Sequence, residues 1–375
     1  MRVLHLIARL NDGGPARVIA QLARTLPAHG ITLEVAAGRC AADEGDLAPR
    51  LRAEGLHLTD VPELGRAPAL LGDVRALAAV LRLIRARRPA LVHTHTAKAG
   101  ALGRIACRLL GVPCLHTYHG HVLDGYFSAA ANLALHTVER LLAGGCHHHA
   151  LTPGQLHELR DLHAIGRPQR WHLLPIPVAP VVRTRAAWHQ TLIPGVPVLG
   201  FLGRLTAVKD VDLWLATLAE LRRRQPLQGL VCGDGQERAR LESAARALDL
   251  PVRFTGTVPA GEALAAMDVL LMTSRNEGLP LVAIEAASAQ VPVVAPAVGG
   301  LADLIRWGVV AGGERTAVAL AAACQRLLLA GPLRQARLAV AGRVAEHLTP
   351  DRLAPAYAAL YRTISEVHRP GVQTW

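Results

Sequence analysis

Short apolar runs alternate with longer amphipathic segments along most of this chain, and this rhythm constrains its fold more than any other feature. In the first half, strands are predicted over Arg2–Ile7, Thr32–Ala36, Leu91–Thr94 and Cys114–Tyr118. The helices predicted between them cover Gly14–His29, Ala69–Arg87 and Ala99–Leu110. Strands and helices that alternate in this way form a parallel sheet with helices on both faces. The sequence therefore predicts an α/β fold.

The alternation is interrupted once, by three prolines within six residues. Pro175, Pro177 and Pro180 exclude a helix, and we place the link between two domains here. A second series of strands and helices starts at Val198–Leu202. We therefore expect two Rossmann-like domains, over residues 1–178 and 179–350. Ligands of open α/β sheets bind outside the carboxyl ends of the strands, so we expect the two domains to face each other across a cleft.

The chain has a formal net charge of +12, which bears on its partners. The basic residues are dispersed, and no RNP, zinc-finger or helix-turn-helix signature accompanies them, so nucleic acid is not the expected partner. Solvated helix faces explain most of the charge, and an anionic membrane surface or a polyphosphate ligand is the alternative. We expect neither a signal peptide nor a transmembrane span, because the apolar runs are short, and the six cysteines lack CxxC spacing. We expect a cytoplasmic protein with reduced thiols, and leave open a peripheral place at the inner membrane face.

One loop carries two carboxylates near the expected start of a helix. The segment from Thr273 to Glu285 follows a predicted strand and opens a helix, with Pro280 expected in its first turn. The backbone N–H groups that we expect to be free at this helix end belong to Gly278, Leu279 and Leu281. Glu277 in the loop and Glu285 two turns along the helix are able to accept hydrogen bonds from vicinal hydroxyls, one from a sugar and the other from a ribose.

A second loop carries two positive charges. Gly203 ends a predicted strand, Arg204 follows it, and Lys209 comes five residues later, just before a helix. Arginine supplies a planar fork of donors and lysine a mobile point charge. Together they suit a diphosphate whose negative charge grows as a bond to it breaks.

These two segments resemble the Glu-x7-Glu and Gly-Arg-x4-Lys motifs of GT-B glycosyltransferases, most closely the retaining family 4 (group 1) type. The resemblance covers nearly the whole chain and implies two Rossmann-like domains facing across a cleft, with a last helix in 351–375 that crosses back to the first domain. It implies that Glu277 binds the sugar of a nucleotide-sugar donor and Glu285 the ribose. Arg204 and Lys209 become the clamp on the leaving diphosphate, with Asn276 and the Gly278–Leu281 backbone beside it.

Other loops fit the same pattern. Gly233 and Gly235 form a strand-to-helix turn that the family places near the donor, although packing alone also explains such glycines. Thr257 and Val258 follow a strand where the family holds the base with its backbone. The Gly13-Gly14 loop after the first strand resembles the one that approaches the phosphates. No side chain identifies the base, so a UDP- or GDP-sugar is expected from the family alone.

The first domain supplies candidates for the acceptor and for catalysis. Arg17 is a candidate phosphate contact, and Lys98, near a helix start, is a candidate for binding an acceptor phosphate; helix capping and surface polarity are the rival account of its loop. The acceptor is expected to be a saccharide or a lipid-linked molecule of surface-polysaccharide or glycolipid assembly. His119 ends a strand within Thr-Tyr-His-Gly, where the family places a histidine near the reactive carbon, and His121 is the alternative. We expect His119 to bond a donor-sugar hydroxyl or to act electrostatically.

No metal or other cofactor is expected. On a strand, His147 and His149 point one way and His148 the other, which makes a poor metal cage. The family transfers sugars with retention, by a front-face mechanism in which positioning and charge stabilisation are the protein's contribution. The chain departs from the family at Pro175–Ala179, where an Asn-Gly stretch is usual. Two alternatives remain, a sugar-nucleotide epimerase or hydrolase of this fold and a degenerate nucleotide-sugar-binding protein; a dehydrogenase is disfavoured because no GxGxxG follows a strand.

Overall fold

The computed structural model describes residues 1–40, 45–65, 70–120 and 129–367 of this chain. They form two compact units, one from Met1–Pro177 together with the segment that begins at Pro350, and the other from Val178–Thr349. Each unit is built on one parallel sheet with helices on both faces. The predicted α/β fold with two Rossmann-like domains is confirmed.

The strands of the first sheet are β1 (Arg2–Ile7), β2 (Thr32–Ala37), β3 (His57–Asp60), β4 (Leu91–His95), β5 (Cys114–Thr117), β6 (His147–Ala150) and β7 (Trp171–Leu173). Those of the second sheet are β8 (Val198–Leu202), β9 (Gln228–Cys232), β10 (Val252–Gly256), β11 (Val269–Leu271), β12 (Val293–Pro296) and β13 (Val310–Gly313). The sheet orders are β3-β2-β1-β4-β5-β6-β7 and β10-β9-β8-β11-β12-β13. In both sheets, successive strands are added outward in opposite directions from one central pair of strands, which is β1 with β4 in the first sheet and β8 with β11 in the second. The carboxyl ends of such a pair form the crevice where ligands of open α/β sheets bind.

The helices of the first unit are α1 (Gly14–Thr25), α2 (Ala48–Ala53), α3 (Leu70–Arg87), α4 (Ala97–Leu110), α5 (Ala129–Ala143), α6 (Pro153–Leu156) and, at the end of the chain, α14 (Pro350–Val367). Those of the second are α7 (Val211–Arg222), α8 (Arg238–Ala247), α9 (Ala260–Ala265), α10 (Leu281–Ser288), α11 (Gly300–Arg306), α12 (Ala317–Leu328) and α13 (Pro332–His347). Short 3-10 helices cover Leu26–His29, Pro62–Leu64, Pro168–Arg170, Ala187–Thr191 and Ala207–Lys209, and a π-helix covers His157–Leu162.

Several boundaries follow from local chemistry. The predicted helix Gly14–His29 changes from α to 3-10 geometry after Thr25, because Pro27 has no N–H to donate to a preceding turn. The end predicted for α4 is confirmed: Gly111 takes a left-handed conformation, with φ of 64°, which glycine adopts without steric cost. The chain passes from one unit to the other between Pro177 and Val178, within the proline-rich segment.

No single helix within the described residues is both long and apolar enough to cross a membrane. Only α12 and α13 taken together, with a bend of 94° between them, meet that criterion by length and composition.

Candidate functional site

Three polar side chains meet at the carboxyl ends of β8 and β11, the central strands of the second sheet. Lys209 ends the short helix after β8, and its Nζ lies 2.5 Å from Oε1 of Glu277 in the loop after β11. Ser274 Oγ donates to the same oxygen at 2.6 Å. The two charged side chains are only 24% and 12% exposed. Because these donors share one oxygen, the other carboxylate oxygen of Glu277 is left to accept from a ligand.

Backbone contacts hold these two loops together. The Arg275 N–H donates to the Val208 carbonyl at 2.8 Å, and Thr273 Oγ1 donates to the Lys209 carbonyl at 3.0 Å. Thr273 and Ser274 are buried, so neither is free to turn towards solvent. The lysine and the glutamate predicted from separate motifs are therefore brought into one rigid site.

Asp210 is a residue of this site that the sequence analysis did not single out. It follows Lys209 with a φ of 48°, a left-handed conformation that costs free energy for any residue except glycine. Its nearly buried carboxylate forms ion pairs with Arg315 and, at 3.4 Å, with Arg275. These pairs hold the backbone after Lys209 in its unusual conformation, and so fix where the lysine side chain starts.

Close backbone contacts explain the glycines around the site. A Cβ at Gly233 would lie 1.9 Å from the Gly203 carbonyl oxygen, and one at Gly300 would lie 1.5 Å from the Gly278 oxygen. At Gly235 the distance would be 2.3 Å, to a carbonyl of the loop after β8. Neighbouring loops thus pack backbone against backbone, which only glycine allows. Packing is a sufficient reason for Gly233 and Gly235, and their contact with a donor stays a prediction.

The start of α10 differs slightly from the expectation. Pro280 is not in the first helical turn but immediately before it, where its carbonyl accepts from the Ala283 N–H at 3.2 Å. The fixed φ of proline suits both positions, so composition alone did not separate them. In the described part of the chain, no acceptor is found for the three N–H groups that were expected to be free, those of Gly278, Leu279 and Leu281.

The remaining predicted donor residues differ in how exposed they are. Glu285 lies on the second turn of α10 and is partly buried, as is Asn276 in the loop. Arg204 is exposed directly after β8. Thr257 is exposed and Val258 partly buried, just beyond the carboxyl end of β10. Their contacts with a donor stay predictions.

The carboxyl ends of β1 and β4 form a second crevice, in the first unit. Gly13 is the N-cap of α1, Gly14 is its first residue, and Lys98 lies in the first turn of α4. A cavity of about 220 Å³ lies here, with Lys98 among its lining residues. The Lys98 ammonium lies 2.6 Å from Asp73, and Arg17 is paired with Asp12 at 2.7 Å. Two of the three predicted acceptor residues, Lys98 and Arg17, are therefore neutralised by a carboxylate, and the contact of these two and of His121 with an acceptor stays a prediction.

His119 follows β5, and its two ring nitrogens differ. Nε2 lies 2.8 Å from Nδ1 of His95, whereas the buried Nδ1 has no partner among the described residues. Burial lowers the pKa of the His119 ring to about 3, so the ring is neutral at pH 7. A neutral ring with one unused buried nitrogen is suited to a hydrogen bond with a ligand. His121, the alternative candidate, lies outside the described residues.

A layer of buried histidines surrounds His119, and sequence reasoning missed most of it. The fully or almost fully buried rings on the strands of the first sheet are those of His5, His93, His95, His116, His148 and His149. His148 and His149 point to opposite faces, as alternation predicted: His148 meets the Ala143 carbonyl and His149 meets Thr117. The sequence signal for these histidines is a polar residue at strand positions where the hydrophobic pattern predicts a buried side chain.

The use of lysine marks both crevices. The chain has 41 basic residues of the Lys and Arg type, and only Lys98 and Lys209 are lysines. Each follows a central strand of its sheet at the carboxyl end. Lysine, with its compact and mobile ammonium, therefore occurs only at the two crevices where the topology predicts ligands.

Comparison with known proteins agrees with this geometry. A model of the glycosyl transferase 4-like domain matches residues 13–177, and one of the glycosyl transferases group 1 matches residues 196–330. The D-inositol 3-phosphate glycosyltransferase of Rhodococcus erythropolis is 30% identical over 94% of this chain and 87% of its own length. The GDP-mannose-dependent alpha-mannosyltransferase of Mycobacterium tuberculosis is 32% identical over 60% of each chain.

Solved structures share the fold. Sucrose-phosphate synthase from Thermosynechococcus elongatus superposes with a TM-score of 0.80 at 22% identity, covering 98% of this chain and all of its own. HepE of Anabaena, in complex with UDP, gives 0.77 at 20% identity, covering 97% of this chain and 100% of HepE. Two Rossmann-like units, the paired Lys209 and Glu277, and matches along almost the whole chain lead to one conclusion: this chain belongs to the group 1 glycosyltransferases of the family 4 type, enzymes that transfer sugars.

Proposed function

We propose that the enzyme takes its sugar from a UDP- or GDP-sugar bound at the carboxyl ends of β8 and β11. The observation that carries this is the meeting of Lys209, Ser274 and Glu277 beside the free N–H groups at the start of α10. Lysine charge and free N–H groups at a helix start favour phosphate oxygens, and a carboxylate oxygen favours sugar hydroxyls. HepE was solved with UDP, and the mycobacterial relative is named for GDP-mannose, which supports both nucleotides as candidates.

In this proposal the sugar is transferred with retention of configuration. The diphosphate leaves and the acceptor hydroxyl attacks on the same face of the sugar, and the departing phosphate helps to take the proton of that hydroxyl. Arg204 and Lys209 stabilise the charge that grows on the diphosphate, which is the differential interaction that lowers a barrier. Glu277 holds the sugar hydroxyls and Glu285 the ribose. Neither a metal nor another cofactor is required.

The proposed acceptor is a saccharide or a lipid-linked molecule that carries phosphate. The crevice at β1 and β4 has the N-terminal ends of α1 and α4, which favour an anion, and Lys98, which is able to bind one after it leaves Asp73. Several relatives are named for D-inositol 3-phosphate, an acceptor of this chemistry. The chain's net charge of +12 supports work at an anionic inner membrane surface, in polysaccharide or glycolipid assembly.

A thermal-shift titration tests the donor proposal. Purified protein is titrated with UDP, GDP, ADP and dTDP and their sugar conjugates, without added metal. A nucleotide at about 100 times its Kd stabilises the folded state by about 2.7 kcal/mol, which for a unit of this size raises Tm by roughly 5–10 °C. One nucleotide family is expected to give this shift.

Two variants locate the bound nucleotide. Lys209→Met is expected to remove most of the shift, because it takes away the ammonium. Arg240→Met is the control, since Arg240 pairs with Asp212 and both side chains are 53% exposed. Absence of a shift with every nucleotide, or an equal shift in both variants and the parent, would contradict the proposal; consumption of donor without any acceptor would favour an epimerase or hydrolase instead.

A further inference from the structure

A continuous line of hydrogen bonds crosses the first sheet beneath α14. We call it the histidine chain, and it joins, in order, the Leu174 carbonyl, His149, Thr117, His93, Tyr361, His5, His95 and His119. Every member belongs to the first unit. Its last member, His119, is the catalytic candidate.

The direction of hydrogen-bond donation is fixed at one end of the histidine chain. The Leu174 carbonyl only accepts, so Nε2 of His149, at 2.6 Å, must carry a proton. In a neutral ring the other nitrogen is then bare, so Nδ1 of His149 accepts the hydroxyl proton of Thr117 at 2.7 Å. That hydroxyl is left to accept from Nε2 of His93 at 2.6 Å. Nδ1 of His93 is therefore bare and accepts from the Tyr361 hydroxyl at 2.8 Å.

The same rule carries the direction onward from Tyr361. Its hydroxyl proton is already given to the ring before it, so its oxygen accepts from Nε2 of His5 at 3.3 Å. Nδ1 of His5 then accepts from Nε2 of His95 at 2.9 Å. Nδ1 of His95 accepts in turn from Nε2 of His119 at 2.8 Å.

We infer that the histidine chain holds His119 as the Nε2–H tautomer, so that its Nδ1 presents a bare lone pair to a ligand. Nδ1 is the buried ring nitrogen that has no partner within the described residues. His95, His5 and Tyr361 act through His119 and are positioning residues. The direction is imposed by a backbone carbonyl at the far end, which no change of tautomer is able to reverse.

The argument requires neutral rings, and burial supplies them. The rings of His5, His93, His95 and His149 are 1% exposed or less. Loss of hydration disfavours their charged forms and lowers the pKa of His5 to about 3 and that of His149 to about 4, with those of His93 and His95 also far below the usual value. Each ring therefore carries one proton at pH 7.

A metal ion is the rival explanation for part of this cluster. Nitrogen atoms of His5, His93 and His95 lie within 4.8 Å of one another, close enough for one ion. All six ring nitrogens of these residues, however, already take part in the histidine chain. An ion bound to three of these nitrogens would break at least two of the hydrogen bonds, so the geometry favours the hydrogen-bonded chain over a metal site.

The consequence concerns recognition by His119, and it rests on the proposed function. A bare Nδ1 accepts a hydrogen bond but donates none, so it selects a sugar hydroxyl that points its hydrogen at the ring. It rejects groups that only accept, such as an ether, a carbonyl or a phosphate oxygen.

Two tyrosines on α14 provide a matched pair of variants. Tyr361→Phe removes the hydroxyl inside the histidine chain. Tyr357→Phe, one turn earlier and equally buried, removes a hydroxyl that donates to the Pro175 carbonyl at 3.2 Å and lies outside the chain. Without the Tyr361 hydroxyl, His5, His95 and His119 are free to switch together to the opposite tautomers. In the parent protein, that switch leaves one buried hydrogen-bond acceptor unpaired. The opposite tautomers are therefore expected to be less populated by a factor of roughly ten or more.

The readout is the ¹⁵N NMR spectrum of histidine-labelled full-length protein at pH 7.5, without substrate, with His119 assigned by a His119→Asn variant. We expect a bare Nδ1 on His119 in the parent and in Tyr357→Phe, and at least a fivefold rise of the Nδ1–H form in Tyr361→Phe. Thr117→Val, which breaks the histidine chain at another point, is expected to give the same rise and serves if Tyr361→Phe does not fold.

The inference is overturned by a protonated Nδ1 in the parent, by a tautomer ratio that neither chain-breaking variant changes, or by stoichiometric shifts of the histidine signals with micromolar Zn²⁺. Because no substrate is present, these outcomes are independent of sugar transfer. A bare Nδ1 in a protein that binds no nucleotide would leave the inference standing and remove the proposed function.

Discussion

Mild acid is expected to destabilise the first unit far more than the second. The cause is the set of six strand histidines with buried, neutral rings, His5, His93, His95, His116, His148 and His149. Burial lowers the pKa of each of them in the folded state, to about 3 for His5 and His148, to about 4 for His149, and well below the usual value for the other three. In the unfolded chain each ring titrates near its ordinary value of about 6.5. The unfolded state therefore binds more protons, and stability is complete above pH 6.5 and falls as the pH drops below it.

The size of the effect follows from linkage. At pH 5.5, which lies above the folded-state pKa values but one unit below the unfolded value, each ring favours unfolding by about 1.4 kcal/mol. The six strand rings give about 8 kcal/mol, and His119, whose pKa is also about 3, adds about 1 kcal/mol. Repulsion between charges in the unfolded chain reduces this sum. A domain of this size is stabilised by about 5–15 kcal/mol, so most of that stability is lost.

Hydrogen exchange measured by mass spectrometry on the full chain separates the two units. Exchange at pH 7.5 and 5.5 is compared after correction for the intrinsic effect of pH on the chemical rate. Peptides from β1, β4 and β5 are expected to lose at least 4 kcal/mol of protection. Peptides from β8 and β11 are expected to change little, because the second unit has only two histidines, His189 and His347, and neither is buried. Equal losses in both units, or a loss below about 2 kcal/mol in the first, would refute the assignment of buried neutral rings.

Two further predictions concern the loops of the second unit. Gly300→Ala places a Cβ 1.5 Å from the Gly278 carbonyl oxygen and is expected to cost about 3 kcal/mol and to abolish the nucleotide-induced thermal shift. Gly331→Ala, with open space around it, is the control and is expected to change stability by under about 1 kcal/mol; similar urea midpoints for the two variants would contradict the close packing of the loops. Asp210→Ala is expected to cost about 1–3 kcal/mol, since its carboxylate is nearly buried between two arginines. Asp212→Ala breaks an exposed ion pair and is expected to cost under about 1 kcal/mol. A larger loss of unfolding free energy in Asp212→Ala than in Asp210→Ala would contradict the stabilising role of the Asp210 ion pairs.

The sequence placed these two loops correctly between a strand and a helix because their signals are local. The spacing of Glu277 and Glu285 and the Gly203-Arg204 turn each lie within one strand-loop-helix unit, where periodicity and glycine are informative. The contact of Lys209 with Glu277 spans 68 residues and depends on β8 lying next to β11. Strand order is a property of the whole sheet, and no short pattern encodes it.

The histidine chain was not predicted for a related reason. Most of its members come from four strands and from α14, and each of these side chains alone is only a polar group at a buried position. Tyr361 has no feature in its own helix that distinguishes it from Tyr357. Hydrogen-bond direction emerges only when all the partners are placed, since each ring takes its tautomer from its neighbour.

The scarcity of lysine has a practical consequence for the chemistry of this surface. Reagents that acylate amines find only two side chains, Lys98 and Lys209, besides the terminal amine. Each ammonium lies against a carboxylate. A polyphosphate that draws Lys209 away from Glu277 would cover its nitrogen and so slow the reaction with the reagent. Because only two lysine side chains are able to react, the extent of acylation at each one reports whether a ligand covers it.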